Sequence, residues 1–183
     1  AGYVVYEGLK TTYDAYVTAV RSGRPAPSQP RSFMGGQRPV AEMPVTPDLA
    51  ASMANAADAA VITIGRISGE GRDRTNEEGD FKLTGTERDL VKVVSAAFQA
   101  QKKKTVVVLN IGGVIEVASW RDQPDAILLA WQGGQETGNA VADLLSGKVS
   151  PSGKLASTFP VAYEDVPSAK NFPGKELPAE PAA

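Results

Sequence analysis

A chain of 183 residues with 19 Lys and Arg against 21 Asp and Glu carries a net charge of -2, which offers no electrostatic reason to bind nucleic acid or an anionic membrane. It has no cysteine and no histidine, so disulfides, thiol nucleophiles, thiolate or imidazole metal sites and the Ser-His-Asp triad are all excluded within it. Acid-base chemistry here falls to carboxylates, lysine or tyrosine.

The length suits one well-filled domain, and no apolar run approaches the roughly 20 residues of a membrane-spanning helix. The expected organisation is a strand, a helix and a Pro/Gly-rich loop over 1–45, an α/β core over 46–167, and a Pro-rich tail over 168–183. The first residues, AGYVVYEG, lack the basic start and long apolar stretch of a signal peptide, and equally suit the start of a processed or excised piece.

In chain order, Tyr3-Val4-Val5-Tyr6 reads as a short strand ended by Glu7-Gly8. Thr12 to about Ser22 reads as a helix with Tyr13, Tyr16, Val17 and Val20 on one face. Arg24 to Pro44 holds five prolines and the pair Gly35-Gly36, which disfavours helix or central strand and suits a connector or an ordered lid. Thr46-Pro47-Asp48 opens the next helix, with Thr as N-cap, Pro at the first helical position and Asp in the first turn.

Ala59-Ala60-Val61-Ile62-Thr63-Ile64 then has the length and β-branched content of a strand covered on both faces. It runs into Ser68-Gly69-Glu70-Gly71, where two glycines free the backbone on either side of a single carboxylate. Open α/β folds place their chemistry at the carboxyl ends of strands, although a lone acid in such a loop is more often a solvated turn. The glycine spacing matches neither a dinucleotide nor a P-loop motif, so nucleotide binding is disfavoured.

Thr84 and Glu87 fit a capping box for a helix to about Gln101, with Leu90, Val93, Val94 and Phe98 inward. Lys102, Lys103 and Lys104 read as its solvated basic end. Thr105 to Leu109 is the second buried strand, ending in Asn110-Ile111-Gly112-Gly113. Glu116 to Trp120 reads as a short helix, and Ala126 to Ala130 as the third strand, ended by Trp131-Gln132-Gly133-Gly134. Gln135 to Ser146 closes the series as a helix with Ala140, Val141, Leu144 and Leu145 inward and Gly147 just past its end. The β-α-β-α-β-α order predicts an α/β fold, a mostly parallel sheet with helices on both faces as a three-layer α/β/α sandwich.

Several residues near the strand ends have both a functional and a structural reading. Arg72, Asp73 and Arg74 follow Glu70 and suit orienting it, shifting its pKa or binding hydroxyls, while Arg74 with Asp73 equally suits a local ion pair. Glu77, Glu78 and Asp80 are rival acids, and Asp80 also suits the turn into the capping box. Trp131 offers a flat face for a sugar or a filler for the core, and Asn110 has the same two readings.

The blocks ISGEGRDR, VVVLNIGGVIEVASW and ILLAWQGGQETGNAVADLLSGKVSPSGKLASTFP together resemble the second domain of glycoside hydrolase family 3, most closely its bacterial β-glucosidases. The resemblance covers roughly Ala50 to Pro167. It implies an α/β sandwich that works beside a (β/α)8 barrel, in retaining hydrolysis of β-glucosides or oligosaccharides. The barrel would supply an aspartate nucleophile, and Glu70, matched on SGEG-x-DR, would be the acid/base. The substrate-binding candidates are Arg72, Asp73, Arg74, Asn110 and Trp131. No cofactor or metal is expected, and neither nucleic acid nor a membrane is expected as a partner. A periplasmic or secreted location is expected.

Retaining chemistry needs two carboxyls about 5–5.5 Å apart, and the matched blocks supply one. The isolated chain is therefore expected to be inactive, as one piece of a larger enzyme or a barrel-less relative. Two alternatives are a non-catalytic sugar-binding or interaction domain on the same sandwich and a flavodoxin-like binding module without its phosphate loop.

Overall fold

The structure, a computed structural model, describes residues 2–23, 40–67, 74–172 and 174. Three parallel strands form its sheet: β1 (Ala59–Arg66), β2 (Lys104–Ile111) and β3 (Ala126–Leu129), in the order β1-β2-β3. Val61 lies opposite Val106, and Val107 opposite Ile127. Helices α1 (Glu7–Ser22), α2 (Pro47–Ala56), α3 (Gly85–Ala100) and α4 (Thr137–Leu145) complete the set, with helices on both faces of the sheet as a three-layer α/β/α sandwich. Helix α3 lies across β1 and β2 and packs against α2.

Local chemistry accounts for the starts of two helices. Thr46 Oγ1 accepts the Leu49 N–H at 3.2 Å, with Pro47 at the first position where a missing N–H costs nothing. Thr84 Oγ1 accepts the Glu87 N–H at 3.2 Å while Glu87 Oε2 accepts the Thr84 N–H at 2.8 Å, the reciprocal capping box. The α3 face is as expected at Leu90, Val94 and Phe98, with Val91 also buried and Val93 at the margin.

Other expectations are corrected. Tyr3 to Tyr6 forms no strand: these residues are exposed, and α1 begins at Glu7, with Gly8 inside its first turn. An apolar, β-branched run becomes a strand only with a neighbour to pair with, and none lies beside it among the described residues. The expected face of α1 does turn inward, where the Tyr13 hydroxyl donates to Glu42 Oε1 at 2.6 Å; burial together with that carboxylate pushes the Tyr13 phenol well above its ordinary value. Glu116 to Trp120 is a turn and not a helix, and the fully buried Trp120 donates its indole N–H to the Glu116 carbonyl at 2.8 Å.

Among the described residues, strand β1 is covered on one face only. Ile62 and Ile64 are buried, whereas Val61 is 55% exposed and Thr63 and Gly65 are open as well. Strand β2, paired on both sides, buries Val107, Leu109 and Ile111 on one face and Val108 on the other. Ala140 of α4 is exposed, and Val141, Leu144 and Leu145 are only half-buried. The lysine run is not merely solvated: Lys103 Nζ donates to the Ala54 carbonyl near the end of α2 at 2.6 Å, and Lys104 pairs with Asp125 at 2.7 Å.

Candidate functional site at the strand ends

The three parallel strands all finish at one edge of the sheet, which brings Arg66, Asn110–Ile111 and Ala130–Trp131 to the same end of the fold. The chain leaves β1 at Arg66 and Ile67 and is described again from Arg74 onward; Glu70, Arg72 and Asp73 lie outside the described residues. What the structure does describe is how the chain is held on either side of them.

Arg66, the last residue of β1, points its guanidinium into a fork with Glu87. Its Nη1 meets Oε1 at 2.8 Å and its Nη2 meets Oε2 at 2.6 Å, with the two side chains 6% and 13% exposed. The same guanidinium donates through Nε to the Asp80 carbonyl at 3.0 Å and through Nη2 to the Lys82 carbonyl at 3.3 Å. Burial alone would raise the Glu87 pKa, but the Arg66 fork and the Thr84 N–H outweigh it and hold the carboxyl below its ordinary value.

Arg74 mirrors this on the far side. Its Nε donates to Asp80 Oδ1 at 2.6 Å and its Nη1 to the Val114 carbonyl at 3.0 Å. Gly113 makes that approach possible, because a Cβ there would stand 2.6 Å from Arg74 Nη1. The ion pair expected between Arg74 and Asp73 involves a residue outside the described ones; the pair the structure describes is between Arg74 and Asp80. The second Asp80 oxygen accepts the Thr75 N–H at 2.6 Å and its hydroxyl at 3.2 Å. Burial raises the Asp80 pKa, and the Thr75 and Arg74 contacts outweigh it, so the net shift is downward.

Two of the rival acids are therefore engaged: Asp80 here, and Glu78 in an exposed pair with Arg88 at 2.7 Å that lowers its pKa. Glu77 is exposed, and its carbonyl, not its carboxylate, takes part in the turn, accepting the N–H groups of Asp80 and Lys82. Among the described residues no three carboxylates stand close enough to hold a metal ion.

Asn110 is exposed at the end of β2. Trp131 is half-buried and has φ +53°, a left-handed conformation that a bulky side chain rarely adopts. Its ring packs obliquely on Phe159, with the centroids 6.3 Å apart. A strained aromatic residue at a strand's carboxyl end is the kind of outlier that clusters at functional sites. Asn110 and Trp131 thus share the strand-end edge with the two arginine anchors.

The family model described as the glycosyl hydrolase family 3 C-terminal domain matches residues 2–180. The chain belongs to glycoside hydrolase family 3. Within that family it superposes on the structure of β-glucosidase 3B from Thermotoga neapolitana in complex with α-D-glucose with a TM-score of 0.82 and 46% identity, over 93% of this chain and 23% of that one. Beta-glucosidase A of Butyrivibrio fibrisolvens is 40% identical over 149 residues, 68% of this chain and 18% of that protein. An exo-alpha-(1->6)-L-arabinopyranosidase of Bifidobacterium longum is 42% identical over 110 residues, 60% of this chain and 14% of that protein. The chain thus spans about a fifth of the length of these family 3 proteins.

Reading the sequence alone missed two residues of this edge. Arg66 belongs to no recognisable motif, although a charged residue closing an apolar strand is itself a signal that something specific receives it. From the sequence Asp80 reads only as a rival acid or a turn residue. Its role depends on partners up to 14 residues away, which no local motif displays.

Proposed function

We propose that this chain is the acid/base-bearing domain of a retaining β-glucosidase-like hydrolase of family 3, with Glu70 as the general acid/base. In this reading it hydrolyses terminal β-D-glucosyl residues once a (β/α)8 barrel of the same enzyme supplies the carboxylate nucleophile, and the chain alone is inactive. The observation that carries it is the 46% identity to β-glucosidase 3B across nearly the whole chain, together with the position of the SGEG-x-DR block immediately after a parallel strand. Glu70 first protonates the glycosidic oxygen as the aglycone departs, and then takes a proton from the water that attacks the glycosyl-enzyme. This scheme requires neither metal nor organic cofactor. Asn110 and Trp131 face the substrate side in this reading, and the enzyme is periplasmic or secreted. The arabinopyranosidase relative supports assigning the choice of sugar mainly to the barrel.

The test is Glu70→Ala in the complete enzyme. A poor alkoxide leaving group needs the proton and a nitrophenolate hardly does. Turnover of an alkyl glucoside should therefore fall by about 10²–10⁴-fold, while the first step on an activated aryl glucoside is largely spared. The second step should slow on both substrates, and azide should restore it, giving the β-glycosyl azide. If Glu77→Ala or Glu78→Ala shows this pattern and Glu70→Ala behaves as wild type, the role moves to that residue.

A further inference from the structure

We infer that Asp80 is a positioning residue that locks together both ends of the segment carrying Glu70. This rests on Glu70 being the acid/base. The chain enters that segment from Arg66 and leaves it at Arg74, and both guanidinium groups converge on Asp80. Arg66 donates to its carbonyl at 3.0 Å, and Arg74 to its carboxylate at 2.6 Å.

Each arginine also reaches outward to a different part of the core. Arg66 is forked to Glu87 in the first turn of α3, and Arg74 is bonded to the Val114 carbonyl in the turn after β2. Asp80 therefore sits where strand β1, helix α3 and the β2 exit turn are tied to one another. Its carboxylate accepts three hydrogen bonds in all, one from Arg74 and two from Thr75, which engage both oxygens and disfavour it as a candidate acid. Its backbone is fixed as well, since its N–H donates to the Glu77 carbonyl at 3.3 Å.

The need for such a lock follows from the sequence. Gly69 and Gly71 flank Glu70, and glycine restricts the backbone less than any other residue, so the sequence alone does not fix where the carboxylate stands. An acid/base acts on a defined oxygen, and a misplacement of about 1 Å costs on the order of 10²-fold in rate. Precision must then come from the anchors, and a charge-assisted anchor of low exposure is the kind that supplies it.

The experiment uses the complete enzyme with Asp80→Asn, which keeps the shape and removes the charge, and Gly113→Ala, which displaces Arg74 without touching the carboxylate. Glu70→Ala runs beside them as the reference, and Glu78→Gln as a surface control. Expected for both test variants is a loss of about 10–100-fold on an alkyl glucoside, a KM changed less than about threefold, and a nearly normal first step on an activated aryl glucoside. A slowed second step that azide rescues completes the signature. A role in stability alone lowers the amount of folded enzyme and scales both substrates equally, without azide rescue. If the leaving-group dependence is present in Glu70→Ala and absent from both test variants, positioning by Asp80 is overturned and the Glu70 reading stands. If it is absent from Glu70→Ala as well, the Glu70 reading falls and takes this inference with it.

Discussion

Helices α3 and α4 carry equally readable apolar stripes, yet they sit in the molecule very differently. In α3 the stripe Leu90, Val94 and Phe98 is buried against α2, β1 and β2, the N-terminus is closed by a reciprocal capping box, and Glu87 of that box reaches back to the end of β1. In α4 the stripe Val141, Leu144 and Leu145 is half-buried, no residue is fully buried, and the N-cap Glu136 makes no capping hydrogen bond with its side chain. Periodicity reports which face of a helix is apolar, and only packing decides what that face is worth. The difference assigns stability to the α2/α3 side, which is also the side that anchors the β1 exit. The WQGGQE block, the most family-specific stretch, leads into the loosely packed side, so its sequence is not explained by core packing within this chain.

The largest expected effect tests that asymmetry directly. Phe98→Ala removes a ring that is 2% exposed and should cost about 3–5 kcal/mol in urea unfolding. Leu144→Ala should cost less, about 1–2 kcal/mol, because its side chain is only partly buried in the folded chain. Equal losses at the two positions would mean that α4 is as much a part of the core as α3, and the contrast would be broken.

The next effect sharpens the link between α3 and the strand end. Glu87→Gln leaves the Arg66 guanidinium buried without its charge partner, which typically costs about 3 kcal/mol. The sign of the pH dependence follows from the depressed Glu87 pKa. A carboxyl lowered in the folded state contributes its stability above the unfolded value of about 4.3, and loses it as pH falls through the lower folded value. The gap between wild type and Glu87→Gln should therefore be full at pH 7 and close progressively in the acid range below about pH 4.3. A gap that stays constant down to the acid transition would show that the lost fork, and not the charge, carries the effect.

These same elements show what can be read from a sequence of this kind. The Thr46 and Thr84 caps, the three strands, the Gly147 helix stop and the α/β/α order were legible because each is encoded within a few neighbouring residues. The SGEG-x-DR and WQGGQE blocks made the family legible as well. Tyr3 to Tyr6 misled because strand formation needs a partner that a local window does not contain. Strand β1 departs from its expected burial for the same reason: Val61 and Thr63 are as β-branched as the residues of β2, and nothing in their identity says that, among the described residues, no element covers them. Arg66–Glu87, 21 residues apart, and the convergence on Asp80 are products of the folded chain, and no local window of sequence displays them.

The smallest effect lies at the other ends of the two helices, where the advantage is reversed. Both helices stop with a residue in the left-handed region just past the C-cap: Lys102, at φ +58°, after α3, and Gly147, at φ +74°, after α4. In α3 the Lys102 N–H donates to the Gln99 carbonyl and the Lys103 N–H to the Phe98 carbonyl, each at 2.9 Å, the double hydrogen bond of a Schellman stop. That stop favours glycine, because a Cβ in this conformation costs roughly 1–2 kcal/mol. Lys102→Gly removes this cost but gives the unfolded chain more freedom, an opposing term of about 0.4–1 kcal/mol. The steric term is the larger, so Lys102→Gly should stabilise the chain by about 0.5–1 kcal/mol. Gly147→Ala should destabilise it by a similar amount, although nothing stands within 4 Å of where the new Cβ would lie, since the strain is in the backbone and not in a clash. Thermal melts of the two variants should therefore shift in opposite directions by a few degrees. If Lys102→Gly lowers the melting temperature, the lysine at that position is worth more than its backbone strain, and the reversal between the two helices does not hold.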